Sequence, residues 1–380
     1  MAKSVLATLD FGNSAKVTGL PTPSAASDAA NKAYVDGLVG FVNTMIAAVP
    51  GVNQQDWTIA GRTAYSTVLM TPADSSWIGG ITAGANGDTL ILFNASASGL
   101  IWLVREDVAS TAANRMTLAR QGAFLLPGET ITLVYSTTKA RWIEVAVSLD
   151  VMAVDDKCSL ILPSSAATLQ AMGRTGTVVT ATVSTISPAG TPTNDFLEDP
   201  ATQITNATAS GTADLRTAFL SFMRGATADR QGFFFNSRVR FPALGATGGV
   251  AVGLTTVVAT ITTLPQATPN TIYLCADGGQ TTLRISVRDG AAGAAIDLGA
   301  NFPVPSATAA YEVCFLAMPN TANIRYMVRR LDSDFRAQGT ITANLPSNAT
   351  TMGARLAVMV GATAVANTAQ MTRMLTRSVN

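Results

Sequence analysis

Between Val35 and Val49 the apolar positions Val35, Leu38, Val42, Met45 and Val49 recur at spacings of three, four, three and four, the seam of a short coiled coil. Ser24, Ser27 and Asp28 are suitable N-caps and the surrounding alanines favour helix, while Pro50-Gly51 stops it. The spacing therefore predicts a helix within residues 24–50. It is preceded by an arm over residues 1–23, in which Pro21 and Pro23 hold the chain extended. A helix packed on its own domain satisfies the same pattern, because two heptads are too short to be stable alone.

After Pro50 the period becomes two. Thr89–Asn94, Gly99–Val104 and Thr130–Tyr135 read as strands, with turns at Asn86-Gly87, Pro127-Gly128 and Ser136–Thr138, so residues 51–150 are expected to form a β module. Residues 151–230, rich in Ser, Thr and Ala and broken by Pro188, Pro192 and Pro200, read as a connector with short strands. Alternation then returns. Phe235, Ser237, Val239 and Phe241 lie on one face of a strand, with Phe234, Asn236, Arg238 and Arg240 on the other. Further strands at 250–254, 271–276, 281–287, 311–318, 323–330, 355–360 and 371–376 make residues 231–380 a C-terminal β-sandwich.

Composition narrows the function classes. A net charge of +1 leaves no basic footprint for nucleic acid, and only 13% of residues are charged, well below the usual quarter or so. No apolar run is long enough to insert in a membrane, and Met1–Ala7 lacks a signal-peptide core. Cys158, Cys275 and Cys314 form no close-spaced pair and read as buried thiols. The chain contains no histidine, which removes Ser-His-Asp and Cys-His catalysis together with the commonest metal ligand. No cofactor or metal is called for. Asp332 and Asp334 could supply half of a glycosidase pair only with a partner from elsewhere, and a solvated turn after Arg329-Arg330-Leu331 is the plainer reading.

Gly19-Leu20-Pro21-Thr22-Pro23 followed by Ala25–Asp36 resembles the linker that recurs in tail-fibre and other virion-fibre proteins of tailed bacteriophages, where it precedes a short helix at a trimer axis. The stretch Leu125–Glu129 leading to Leu133–Tyr135 and Arg141-Trp142 resembles a β module of such fibres. The order of the Phe-rich strand, Asp277-Gly278, Asp289-Gly290, Asp297–Gly299 and Tyr311–Val313 resembles the concanavalin-like jelly rolls of phage fibres. The resemblance implies a mainly β fold: a short N-terminal arm and coiled-coil helix, then β modules ending in a jelly-roll sandwich.

It also implies a homotrimeric structural fibre protein of the virion, assembled in the host cytoplasm, docked on other virion proteins through residues 1–23 and contributing to host attachment. A head or collar fibre, or a fibre-borne glycan depolymerase, is the alternative. For a distal glycan site the planar donors Asn236, Arg238, Arg240, Arg325 and Arg329 are the candidates, since Arg holds carboxylates and sugar hydroxyls by paired hydrogen bonds. Solvation of an outer sheet, or pairing with Asp332 and Asp334, is their plainer role.

Overall fold

A computed structural model describes residues 44–119 and 122–147, four strands between 158 and 188, and residues 201–379 apart from 218–219, 221, 226–230, 258–260, 262 and 334. The first ten strands are β1 (Thr44–Ala48), β2 (Asn53–Gln54), β3 (Tyr65–Met70), β4 (Ser76–Ile78), β5 (Thr89–Asn94), β6 (Ile101–Val104), β7 (Met116–Thr117), β8 (Gly122–Leu125), β9 (Thr130–Ser136) and β10 (Arg141–Val147). The chain winds between two sheets. Sheet I runs β1-β3-β5-β9-β10-β7 and sheet II runs β2-β4-β6-β8. The pairs β1–β3, β3–β5, β2–β4 and β4–β6 are all parallel. Parallel neighbours need a crossover, and here a strand of the opposite sheet supplies it, giving a β-solenoid-like unit closed by antiparallel β8, β9 and β10. Val68, Leu90, Leu92, Ile131 and Leu133 from sheet I meet Ile78, Ile101 and Leu103 from sheet II in its core.

The remaining strands are β11 (Cys158–Leu162), β12 (Gln170–Gly173), β13 (Val178–Thr180), β14 (Thr185–Pro188), β15 (Thr202–Asn206), β16 (Thr212–Thr217), β17 (Gly232–Ala243), β18 (Gly249–Thr255), β19 (Thr271–Asp277), β20 (Arg284–Arg288), β21 (Gly293–Asp297), β22 (Tyr311–Ala317), β23 (Ile324–Arg330), β24 (Arg336–Ile341), β25 (Gly353–Met359) and β26 (Asn367–Val379). Sheet III runs β12-β11-β26-β17-β22-β23-β24, with β15 also on β26 and β14 on β15. Sheet IV runs β13-β16-β25-β18-β19-β20-β21. Between III and IV lies the largest core, in which Phe233, Phe235, Val239, Phe241, Val313 and Phe315 face Val250, Val252, Leu254, Leu274 and Leu356.

A third apolar cluster joins the two halves. Trp77, Trp102 and Val104 on the far side of sheet II meet Phe234, Leu316, Met327, Leu375 and Val379 on the outer side of sheet III. The molecule is thus four β layers. This explains the unbroken Ile101-Trp102-Leu103-Val104 run: sheet II is covered on both faces, whereas β3, β5 and β9 alternate buried and half-buried as a one-sided sheet should.

The expected fold class is corrected at its N-terminal end. The described residues are all β and contain no α-helix. Residues 44–48, placed by the heptad spacing inside a coiled-coil helix, form β1, with Ile46 paired to Val68. Met45 is 66% exposed on that strand and Val49, 67% exposed, follows it, so neither lies in a helical seam. Val35, Leu38 and Val42 fall outside the described residues. The physical reason is that β-branched Thr44 and Ile46 pair with a neighbouring coil, a long-range partner that periodicity does not see. The plan of a helical arm ending in a jelly-roll sandwich is thus replaced by a β-solenoid-like unit docked on sheets III and IV, which take in strands between residues 158 and 217, the stretch read as a connector with short strands.

Candidate functional site

The donors proposed for glycan are internal. Arg238, Asn236, Arg240 and Arg329 are at most 7% exposed, on the face of sheet III turned toward sheet II. Arg238 Nε pairs with Glu312 Oε2 at 3.0 Å, and Arg373 pairs with Glu312 Oε1. Asn236 Nδ2 donates to the same carboxylate at 3.2 Å, while Asn236 Oδ1 accepts from Arg373 Nε at 3.0 Å. Burial would raise Glu312, but Arg238, Arg373, Asn236 and Arg329 outweigh it and hold the carboxyl below its ordinary range. Arg240 donates to Gln370 Oε1 at 2.7 Å and to Ala307 O at 3.1 Å. Arg325 pairs with Asp74 and donates to Ser98 Oγ at 2.9 Å.

Asn236, Arg238 and Arg329 converge on Glu312 within sheet III, Arg240 is tied to Gln370 and Ala307, and Arg325 crosses to the other half. Arg336–Asp107 and Arg377–Glu129 pair across the seam between the two halves as Arg325–Asp74 does, and Gln338 Nε2 donates to Ser75 O at 2.8 Å. Trp77 stacks on Trp102 with centroids 4.2 Å apart, and Trp102 packs against Phe124 at 4.3 Å, which reaches Phe234 at 5.4 Å. The tryptophans are core, as their burial requires. Asp332 is tied to Arg330 at 2.7 Å, and Asp334 lies outside the described residues.

The outer face of sheet IV has a different character. The strand register sets Arg216, Arg355, Gly253, Tyr273 and Ser286 in one row across β16, β25, β18, β19 and β20. The next row is Asp214, Ala357, Ala251, Cys275 and Arg284. Small residues at the centre leave room for something to lie close to the backbone. Gly253 takes φ +153°, and a Cβ there would sit 2.0 Å from Ile272 O on the paired strand β19.

Part of the β18–β19 connection fills that room. Pro265, in a 3-10 turn over Pro265–Ala267, lies against Gly249 so tightly that a Cβ would come within 2.5 Å of its ring. Val257 and Ile261 pack on Ala357 and Met359. Arg355 Nη1 donates to Val257 O at 2.9 Å and Thr212 Oγ1 donates to Ile261 O at 2.7 Å.

Where this cover meets the end of the sheet there is a pocket of about 260 Å³, lined by Ser210, Thr212, Thr247 and Thr263 and by Leu264, Met359 and Gly361. Beneath the cover Asp214 is buried, with Oδ2 held by Arg355 and, at 3.2 Å, by Arg216. Burial pulls the Arg355 guanidinium down to about 9, so it remains a cation at neutral pH. Burial pushes the Tyr273 phenol up and the Cys275 and Cys314 thiols well up. Both cysteines are free and buried, which suits inert thiols; the side chain of Cys158 lies outside the described residues. Among the described residues no group of three His, Cys, Asp or Glu is placed to hold a metal ion, and no helix is long and apolar enough to cross a membrane.

This face was missed from the sequence, yet it left a signal. β18 alternates large apolar residues with Gly or Ala, as in Val250-Ala251-Val252-Gly253-Leu254, and β25 carries Gly353 and Ala357 on the same outer face, the mark of a strand whose other side is closely approached.

No family model matches the chain, and no curated protein matches it in sequence. Several solved structures overlap it weakly. A seed lectin of Lotus tetragonolobus has 6% identity over 58% of this chain and 98% of its own, with a TM-score of 0.38. A protein of unknown function from Shewanella oneidensis MR-1 has 10% identity over 53% and 77%, also at 0.38. A carbohydrate esterase from the Shiga toxin-encoding bacteriophage phi24B has 13% identity over 53% and 90%, at 0.33. Overlaps of this size carry no argument about what the chain does, and its own geometry has to supply one.

Proposed function

We propose that the chain is a structural, non-enzymatic component of a tailed-phage virion fibre, in the tail-fibre position, that binds host-surface carbohydrate at the end of sheet IV. The observation that carries the binding site is the 260 Å³ pocket lined by four Ser and Thr residues beside Leu264 and Met359. Hydroxyls that both donate and accept, next to an apolar wall, match a sugar ring with its polar edge and C–H face. The virion assignment is supported by the Gly19–Asp36 resemblance. In this reading the chain associates with itself and with other virion proteins, the latter through residues 1–23. A non-catalytic role is supported by the lack of histidine and by the pairing of Asp332 with Arg330.

The test is a screen of the full chain against host-surface glycans, with Thr263→Val and Thr247→Val. Binding weakened by both variants, with no glycan released, is the expected result. Release of glycan fragments would establish the depolymerase instead, and absence of all binding at millimolar sugar would remove the pocket from consideration. Immunogold labelling of particles decides between tail and head or collar.

A further inference from the structure

Sheet I is an end layer of the four, with sheet II against its inner face. Val68, Leu90, Leu92, Ile131 and Leu133 enter the core between the two, so the residues that alternate with them point away from it. The strand register lines up Met45, Thr67, Ile91, Thr132 and Ala146 in one outward row across β1, β3, β5, β9 and β10. Leu69 and Phe93 flank that row on one side, Val134 and Ile143 on the other. None of these positions is charged. Met45 and Ala146 are exposed and the others half-buried. The solvent side of a sheet is normally polar, and a contiguous apolar patch marks an interaction surface. Arg141, two residues along β10 from Ile143, is held by Glu106 at 2.8 Å, which places a polar pair at the rim of the patch, as interfaces have.

We infer that the outer face of sheet I is a self-association surface, and that its occupant is the same face of a second copy of this chain. Charge selects the partner. An acidic or basic protein would find no opposite charge here, whereas a second copy presents a surface equally free of charge, so its approach leaves no ion unpaired. Shape agrees with this. Two sheets pack face to face about 10 Å apart through interdigitated side chains, and a two-fold axis sets each row against its counterpart, the closed arrangement commonest among oligomers. The area is sufficient. Five strands at about 4.8 Å spacing and six residues at about 3.4 Å rise cover roughly 24 Å by 20 Å. That is about 500 Å² on each copy and 1,000 Å² in all, the size at which a specific interface begins and well short of an obligate one. The association is therefore reversible, and the single chain folds without it.

This inference rests on the self-association in the proposed reading and names its surface, and the test separates the two. Sedimentation velocity is run on the full chain from about 1 to 100 μM, beside Ile91→Lys, Thr132→Lys and, as a control far from sheet I, Val365→Lys, a residue already 44% exposed. The native chain and the control should associate with rising concentration. Ile91→Lys and Thr132→Lys each set like charges against one another at the middle of the interface, which should raise the dissociation constant at least about a hundredfold. Because both positions point outward, melting temperatures measured at the lowest concentration should match the native value. Association left intact by both sheet I variants would overturn the face and leave self-association standing. A native chain that stays monomeric at every concentration would overturn the second copy as occupant and the self-association with it. A drop in melting temperature of the monomeric Ile91→Lys and Thr132→Lys variants would also overturn it, since the face would then be covered by a segment of its own chain.

Discussion

Glu312→Gln tests whether the arginines on sheet III serve structure. Glu312 is 1% exposed and receives Arg238 at 3.0 Å, Arg373 and Asn236. The substitution keeps the shape and removes the charge, leaving the Arg238 guanidinium, itself 1% exposed, buried beside Arg373 and Arg329. Breaking a buried pair in this way costs about 3–5 kcal/mol, a large part of the roughly 5–15 kcal/mol that holds a domain folded. The pH dependence adds a second signature. Burial would raise Glu312, but the guanidinium groups hold its folded pKa below the ordinary carboxyl value of 4.5. Its contribution is therefore complete above that value and is lost as pH falls through the folded pKa. Urea unfolding of both proteins at about pH 7, 5, 4 and 3 should show a gap that is wide at neutral pH and narrows in acid. A gap below about 1 kcal/mol at neutral pH, or one of constant size down to the lowest pH, would refute a structural role for the network.

Three further outcomes are expected. Trp77→Ala removes a side chain 1% exposed, stacked at 4.2 Å on Trp102 with Arg336 over its ring at 5.4 Å; the loss of about 3–5 kcal/mol falls on the seam, so calorimetry should resolve two unfolding transitions in place of one. Gly253→Ala should destabilise by more than about 1 kcal/mol, since φ +153° and the Ile272 carbonyl 2.0 Å from the new Cβ leave it no room; denaturant melts measure this. Cys275 and Cys314, buried with their thiols pushed well up, should resist alkylation in the native protein and react once unfolded, as peptide mapping will show.

Strands with one wet face were legible in the sequence. Thr89–Asn94 alternates as read and is β5, and the inward set Phe235, Val239 and Phe241 lies in the core between sheets III and IV. What alternation could not say is what covers the second face. The Asn236, Arg238 and Arg240 face looks solvated by composition, yet all three side chains are buried. Only the apolar run at 101–104 hinted that a sheet was buried on both sides. The parallel winding was hidden for another reason: pairing of Thr44 with Ser66, or Ser66 with Leu90, is fixed by stacking of successive coils and leaves no local trace. The heptad at 35–49 misled because its last turn contains a short β-branched segment that finds a partner only in three dimensions. The sheet IV site was half visible, in the Gly and Ala positions of β18 and β25; the row Arg355–Gly253–Tyr273 exists only once the register is known.

The place of β26 in sheet III bears on how the protein is made. This strand lies between β11 and β17 and also carries β15, pairing with segments synthesised up to some 200 residues earlier. The solenoid-like unit can close as soon as residue 147 has left the ribosome. Its Trp77–Trp102 face, however, has no complete mate until Leu375, Arg377 and Val379 emerge. For the interval in which the intervening chain is translated, that aromatic surface stands open to solvent and to neighbouring nascent chains. A polysome making this protein thus carries a row of half-finished molecules with adhesive faces, and chaperone capacity, more than native-state stability, would then limit how much folded protein a cell yields.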